Sequence, residues 1–337
     1  MPELPEVETM RRGVLPVVGL RIAEVARAAC PRKPIEVSPR IDHFHRRAVG
    51  RLIVDVRRAG KRVLVMLDTG DAIVFEPRMT GLVLIADPPD ELYLRVRIQL
   101  ERRSPNQSKK RKQGSKQESP DSSLLAPASS SSNGRTAAPP QELLYWDRRG
   151  LGNVRLLTPA EQAAAFGPPK LGPDALAITL DELRANLARS RRAIKVALLD
   201  QTAVAGIGNL YASEMLHVAA IHPATPCHRL RPPQWSALHA AVGDILNAAI
   251  KYEGSTLGDG TYRNALNQQG GYQNHHRVYD REDKACPTCT AGKIERITQA
   301  QRSTFFCPKC QSRRAARRVL GSSEASMGTI SDSKASE

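Results

Sequence analysis

At 337 residues the chain is long enough for two or three domains with cores of their own, and 50 Lys plus Arg against 34 Asp plus Glu leave a formal charge of +16. That excess points to a polyanion, since cations packed on phosphates release counterions, while 4% aromatic residues argue against a single-strand binder built on stacked bases. No stretch approaches a membrane-crossing helix, and the acidic N-terminus lacks the apolar core of a secretory signal, so an intracellular setting, cytoplasm or nucleoid, is expected.

The first residues, MPELPEVET, crowd Glu3, Glu6 and Glu8 around two prolines. Pro5 suits a first helical turn, acids there complement the positive end of the helix, and Val7, Met10 and Val14 have the spacing of a buried face. A chemical reading stands beside this one. With the methionine removed, Pro2 becomes a free secondary amine, and α-amines have a pKa of about 7.7–8.0. Such an amine attacks a sugar or carbonyl carbon to give an iminium, an electron sink, with Glu3 and Glu6 as proton carriers.

Short β-like runs follow: RLIVDV, RVLVML, AIVFE, GLVLIA and then LYLRVRIQL, in which Leu92, Leu94, Val96, Ile98 and Leu100 alternate with Tyr93, Arg95, Arg97 and Gln99. They predict a β-sandwich or barrel. Residues 103 to about 140, rich in Ser, Lys, Gln and Pro, read as a disordered insertion, and QELLYW beyond it as the second half of a hairpin begun by LYLRVRIQL. From 158 the chain turns helical. TPAE and TLDE match the capping box, and Trp235, Leu238, Val242, Ile245 and Ala249 mark the buried stripe of a later helix.

Two local patterns carry chemistry. In VAGIGNLYASE, Gly206 and Gly208 allow close approach of the backbone to a ligand, and a helix starting near Asn209 would aim free N–H groups at an anion such as phosphate; tight packing is the alternative. The pairs Cys286/Cys289 and Cys307/Cys310, with 17 residues between them, can close a tetrahedral zinc site with no open position. A disulfide pair or redox thiols are the rivals, disfavoured in a reducing compartment. KIERIT and QRSTFF between the pairs predict a hairpin too small to hold without the metal, with Arg302 near the start of its second strand. Beyond about 314 the basic, then Ser-rich tail reads as disordered.

PELPEVET with RRG, the segment KVALLDQTAVAGIGNLYASEMLHVAAIHP and the ending QRSTFFCPKC, in that order, closely resemble the formamidopyrimidine-DNA glycosylase and endonuclease VIII family, over nearly the whole chain outside the insertion and tail. The resemblance implies an α+β protein: an N-terminal β-sandwich domain over 1–157 with the insertion at 103–140, a helix-two-turn-helix domain over 158–280, a zinc finger over 281–313 and a tail from 314 to 337. A monomer acting on damaged double-stranded DNA in the cleft between the main domains is expected. By family role Pro2 attacks C1′ of the damaged nucleotide, Glu3 is the acid/base and Glu6 positions the reacting groups. Lys61, Asn209 and Arg302 match phosphate-gripping positions, and Arg191 falls in a basic stretch. Met79, Arg149 and Leu151 match the residues that fill the gap left by a flipped nucleotide, although the third is usually Phe.

Several positions depart from the family. Glu76 and Arg78 stand where a His and a Gly usually precede the Met, Tyr93 and Arg95 replace a His pair, and the lesion-reading loop NALNQQGGYQ lacks a lysine found in some members. The implied activity is excision of oxidised purines, formamidopyrimidines and 8-oxoguanine, followed by β,δ-elimination. The alternatives are an endonuclease VIII-like preference for oxidised pyrimidines and a non-catalytic zinc-containing DNA-binding protein.

Overall fold

A computed structural model describes residues 2–102, 140–258 and 260–312. The expected disordered tail and nearly all of the expected insertion lie outside these residues.

Helix α1 (Leu4–Gly13) opens the chain with Pro5 in its first turn and the expected face, Val7 and Met10, buried; Glu3 is its N-cap with Glu6 at the third position, a capping box the sequence reading did not name, and Val14 caps its C-terminal end and is equally buried. The sandwich then assembles from two sheets. One holds β1 (Arg21–Arg27), β7 (Leu94–Glu101), β8 (Glu142–Asp147) and β6 (Gly81–Leu84) in that spatial order, all antiparallel. The other runs β2 (Glu36–Ser38), β9 (Asn153–Leu157), β5 (Ala72–Glu76), β4 (Arg62–Leu67) and β3 (Ile53–Ala59), with β2 parallel to β9. The β7–β8 pairing is the expected hairpin. Helix α2 (Ile41–Ala48), unforeseen from the sequence, buries only Phe44 and Ala48.

One expectation fails. The clean alternation of 92–100 breaks at a register irregularity between Leu94 and Val96, leaving Leu92 outside the strand and 40% exposed. The bulge turns Arg95 inward, to 4% exposure, where Nε donates to the Asp147 carbonyl at 2.9 Å and Nη1 to the Lys33 carbonyl at 2.9 Å. A buried cation here ties two loops together.

Helices α3 (Pro159–Phe166) and α4 (Leu180–Leu187) begin at Thr158 and Thr179 with complete capping boxes. With α5 (Ile194–Leu198), α6 (Asn209–Val218) and α7 (Pro232–Lys251), α4 encloses a second core that contains the expected stripe from Trp235 to Ala249. The hairpin β10 (Glu295–Gln299) and β11 (Arg302–Phe306) follows. No helix among the described residues is long and apolar enough to cross a membrane.

The two main cores are interlocked. Leu4, adjacent to the sandwich in sequence, is fully buried in the helical core, and its N–H donates to the Gly206 carbonyl at 3.1 Å. In the opposite direction Tyr262 and Ala265, from the loop after α7, join the sandwich core, and the Ile85 N–H donates to the Ala265 carbonyl at 3.1 Å. Burial of one leucine contributes about 1.5–3 kcal/mol, so Leu4 alone is a substantial anchor. Replacing Arg95 with leucine should strand two loop carbonyls and lower unfolding free energy by about 2–4 kcal/mol, read by urea denaturation.

Candidate active site

A cavity of about 460 Å³ opens between the two cores. Its lining brings together Pro2, Glu3, Glu6, Met79, Asn209 and Arg302, drawn from segments far apart in the chain. Pro2 is buried within that lining, directly before the N-cap of α1. Each carboxylate beside it is held by donors distant in sequence. Glu3 Oε1 accepts from the Leu210 N–H at 2.9 Å and Oε2 from the Tyr211 N–H at 3.4 Å, both in the first turn of α6. The helix N-terminus expected to grip an external phosphate therefore takes the protein's own Glu3 instead.

The glycines of GIG serve that contact. A Cβ on Gly208 would lie 2.2 Å from the Glu3 carboxyl carbon, and one on Gly206, whose φ is +106°, would lie 2.4 Å from Leu4 Cδ1. The expected close approach is present, but to α1 and its cap rather than to a ligand.

Glu6 is 3% exposed and accepts three hydrogen bonds: Glu3 N–H at 2.8 Å, Tyr211 O–H at 2.5 Å and Ser255 N–H at 2.9 Å. Burial, reinforced by the charge of Glu3, raises its pKa above the ordinary carboxylate value despite these donors. A proton is thus held more readily on Glu6 than on an exposed acid. Lys61, partly buried, sits in the same field: burial lowers its pKa, Glu3 opposes that change and Arg302 adds to it.

Lys195, with no sequence signal beyond being a lone cation in the apolar run AIKVALL, joins the site from behind. It is fully buried without a carboxylate partner, donating to Asn209 Oδ1 and, at 2.8 Å, to Thr304 Oγ1. Asn209 in turn donates from Nδ2 to the Ser303 carbonyl at 2.9 Å. Burial lowers the Lys195 pKa to about 8; the charge of Glu3 opposes that shift and Arg302 nearby adds to it. The pair Lys195 and Asn209 couples the N-terminus of α6 to β11, and so sets where Arg302 stands. Arg302 itself is exposed at the end of a two-residue turn, Ala300–Gln301, with both residues at positive φ, the geometry that matches strand twist in a tight hairpin.

Four expected residues lie outside the cavity lining, Lys61 and three others. Arg149 and Leu151 are exposed on the β8–β9 loop, and Arg191 is exposed before α5. Fully buried Asp147 organises that loop: its carboxylate accepts from Thr80 Oγ1 at 2.5 Å and from the Arg149 and Gly152 N–H groups at 3.2 and 2.8 Å. Thr80 follows Met79, so one carboxylate holds both turns that carry the expected wedge residues. Sequence reading missed Asp147, Lys195, Tyr211 and Ser255 because each acts through a partner far along the chain.

The four sulfurs of Cys286, Cys289, Cys307 and Cys310 lie within 4.8 Å of one another, with 3.7 Å across Cys286–Cys310 and Cys289–Cys307. Zn–S bonds of about 2.3 Å at tetrahedral angles require S···S separations of about 3.8 Å, so the set fits zinc closely.

Family models match all three regions: the formamidopyrimidine-DNA glycosylase N-terminal domain at residues 1–115, its H2TH domain at 171–260, and the zinc finger found in FPG and IleRS at 283–313. A formamidopyrimidine-DNA glycosylase of Chloroflexus aurantiacus is 36% identical over 315 residues, covering 92% of this chain and 98% of that protein. The chain belongs to the formamidopyrimidine-DNA glycosylase family. Its fold is similar to the MutM (Fpg) protein of Thermus thermophilus, with TM-score 0.71, 30% identity and coverage of 92% and 98% of the two chains. It is likewise similar to a Lactococcus lactis Fpg mutant in complex with Fapy-dG-containing DNA, with TM-score 0.72, 28% identity and coverage of 92% and 100%. One structural zinc is part of this family architecture, and the four cysteines supply its ligands.

Two outcomes follow from the site. Because the folded-state pKa of Lys195 lies below its unfolded value of 10.5, the folded state binds fewer protons between about 8 and 10.5, so the penalty of burying the ammonium is full below pH 8 and lifts as pH rises through that window. Wild type should therefore gain stability relative to Lys195→Met from pH 8 to 10.5 in urea titrations. Zinc chelation should melt β10–β11, displace Arg302 and abolish DNA binding while far-ultraviolet dichroism retains the helical domain; unchanged affinity after verified metal loss contradicts this.

Proposed function

We propose that the chain is a bifunctional DNA glycosylase and AP lyase of base excision repair, acting in the cell on damaged double-stranded DNA, with oxidised purines, formamidopyrimidines and 8-oxoguanine, as main substrates. The observation that supports this reading is that Pro2 lines one cavity together with Glu3 and Glu6, two carboxylates held by donors from α6 and from the segment after α7. The cavity would receive a flipped nucleotide, and Arg302 and Met79 are part of its lining.

In this mechanism, removal of the initiator methionine exposes the Pro2 nitrogen. It attacks C1′ of the damaged nucleotide, with Glu3 delivering a proton to the sugar ring oxygen, so the ring opens as the N–C1′ bond forms. The base leaves with its own bonding electrons and a proton, and the remaining amine and C1′ become an iminium. A proton at C2′, made acidic by that cation, passes to a carboxylate as the 3′ C–O bond breaks; a second elimination breaks the 5′ C–O bond. Glu3 is the acid/base, and Glu6, able to retain a proton, orients Pro2 and Glu3 through its bond to the Glu3 N–H.

Lys61, Asn209 and Arg302 grip the phosphates beside the lesion, Arg191 adds a peripheral contact, and Met79, Arg149 and Leu151 fill the vacated stack. Leu151 is 49% exposed, consistent with an apolar wedge waiting for a partner. Zinc has no chemical step here; it holds the hairpin.

Borohydride trapping on duplexes carrying a panel of oxidised purines and pyrimidines tests the reading. Wild type should form a covalent adduct, Pro2→Gly should lose it, and Glu3→Gln should slow it by at least about a hundredfold, the usual worth of a positioned acid/base. Full activity in protein shown by mass spectrometry to retain its methionine would overturn the scheme.

A further inference from the structure

A second cavity, of about 360 Å³, lies on the sandwich beside the turn that carries Met79. Ile73 and Phe75 of β5 point into the main core, so Glu76 points out of the other face of the sheet. There Glu36, Asn153 and Glu76 stand in register across β2, β9 and β5. Three guanidiniums converge on the Glu76 carboxylate: Arg62 Nε at 3.1 Å, Arg78 Nε at 3.3 Å and Arg155 Nη2 at 3.8 Å. With Lys170 on the far wall, four cations face the two carboxylates Glu36 and Glu76, so two positive charges remain unmatched within the cavity.

Two further features set the residues of this cavity apart. Arg155 Nε is a buried donor without an acceptor, and Asn153, 7% exposed and on the cavity wall, has a buried amide oxygen without a donor. Arg78, meanwhile, occupies a left-handed conformation with φ of +49°, which suits the glycine usual in the family at this position. Its side chain is 55% exposed, so the strain is not offset by burial.

We propose that this cavity binds a backbone phosphate of the same duplex, one or more linkages beyond those at the lesion, with Arg62, Arg78 and Arg155 as donors and Glu76 as the support that fans them out. The proposal rests on the DNA-repair reading above and extends its footprint. Glu76, acidic at a place facing DNA, thereby acts as an organiser of cations rather than as a repulsive group.

The test uses the full chain and a duplex carrying a tetrahydrofuran abasic analogue, with a neutral methylphosphonate placed at each linkage in turn. For wild type, neutralising one linkage outside the pair flanking the lesion should weaken binding by about tenfold, and Arg78→Gly and Arg155→Gln should each weaken the unmodified duplex by about 3- to 10-fold and reduce the slope of log K against log salt by about 1. Both variants should also be indifferent to that linkage. Arg78→Gly removes the backbone strain, so an undiminished melting temperature is expected and loss of fold does not confuse the result. Variants that bind like wild type, or stay sensitive to the same linkage, overturn the proposal. A flat linkage scan combined with stabilisation by inorganic phosphate in wild type alone assigns the cavity to a free anion and equally overturns it. Borohydride trapping that persists through such results leaves the enzymatic reading standing, whereas a wild type that binds no duplex removes both.

Discussion

The carboxylate of Glu3 seated on the first turn of α6 is the contact on which the rest of the cleft depends. It joins the two ends of a long stretch of sequence, and both sides are shaped for it. Gly206 and Gly208 clear the space, the capping box sets the Glu3 backbone through Glu6, and Tyr211, whose N–H reaches Glu3, donates its hydroxyl to Glu6. A helix dipole that could hold a mobile anion instead holds a fixed one, so the residue following Pro2 cannot wander. Pro2 is positioned as a consequence, through its peptide bond to a residue that is itself pinned.

Around that contact the cations are arranged in graded environments. Arg302 is exposed and free to meet phosphate, Lys61 is partly buried, and Lys195 is enclosed behind them with neutral oxygens as its partners. Placing an unpaired ammonium in the interior is costly, and the cost is tolerable because Asn209, Thr304 and a backbone carbonyl solvate it. The zinc hairpin then acts mechanically at one remove: the metal holds β11, β11 offers Thr304 and Ser303 to the Lys195 and Asn209 pair, and Arg302 emerges at the strand's start.

Much of this was legible in the sequence. Strong local patterns, such as the two Thr-led capping boxes, the Trp235 to Ala249 stripe and the paired C-x-x-C motifs, determine structure through neighbours and so could be read directly. What escaped depends on distant partners or on broken periodicity. Strand β1 carries an irregularity between Ile22 and Glu24, β2 has three residues, and α2 buries two side chains, so none shows a sustained period. The bulge at Leu94 to Val96 inverted the face of Arg95. Elementary amine and carboxylate chemistry already offered Pro2, Glu3 and Glu6 as nucleophile and proton carriers, and motif resemblance gave that reading its context, while at Gly206 and Gly208 the packing alternative, close approach to Leu4 and Glu3, is the one observed.

The exchange of anchors between the two cores has a consequence for how such a protein can be altered. Because Leu4 belongs to the helical core and Tyr262 with Ala265 to the sandwich, a boundary drawn at residue 158 cuts neither half cleanly. Swapping front and rear halves between homologues at that joint would leave each hybrid with a mismatched peg in both directions. Successful grafts would have to carry the first helix together with its receiving pocket, making the molecule a clasp rather than a pair of interchangeable parts.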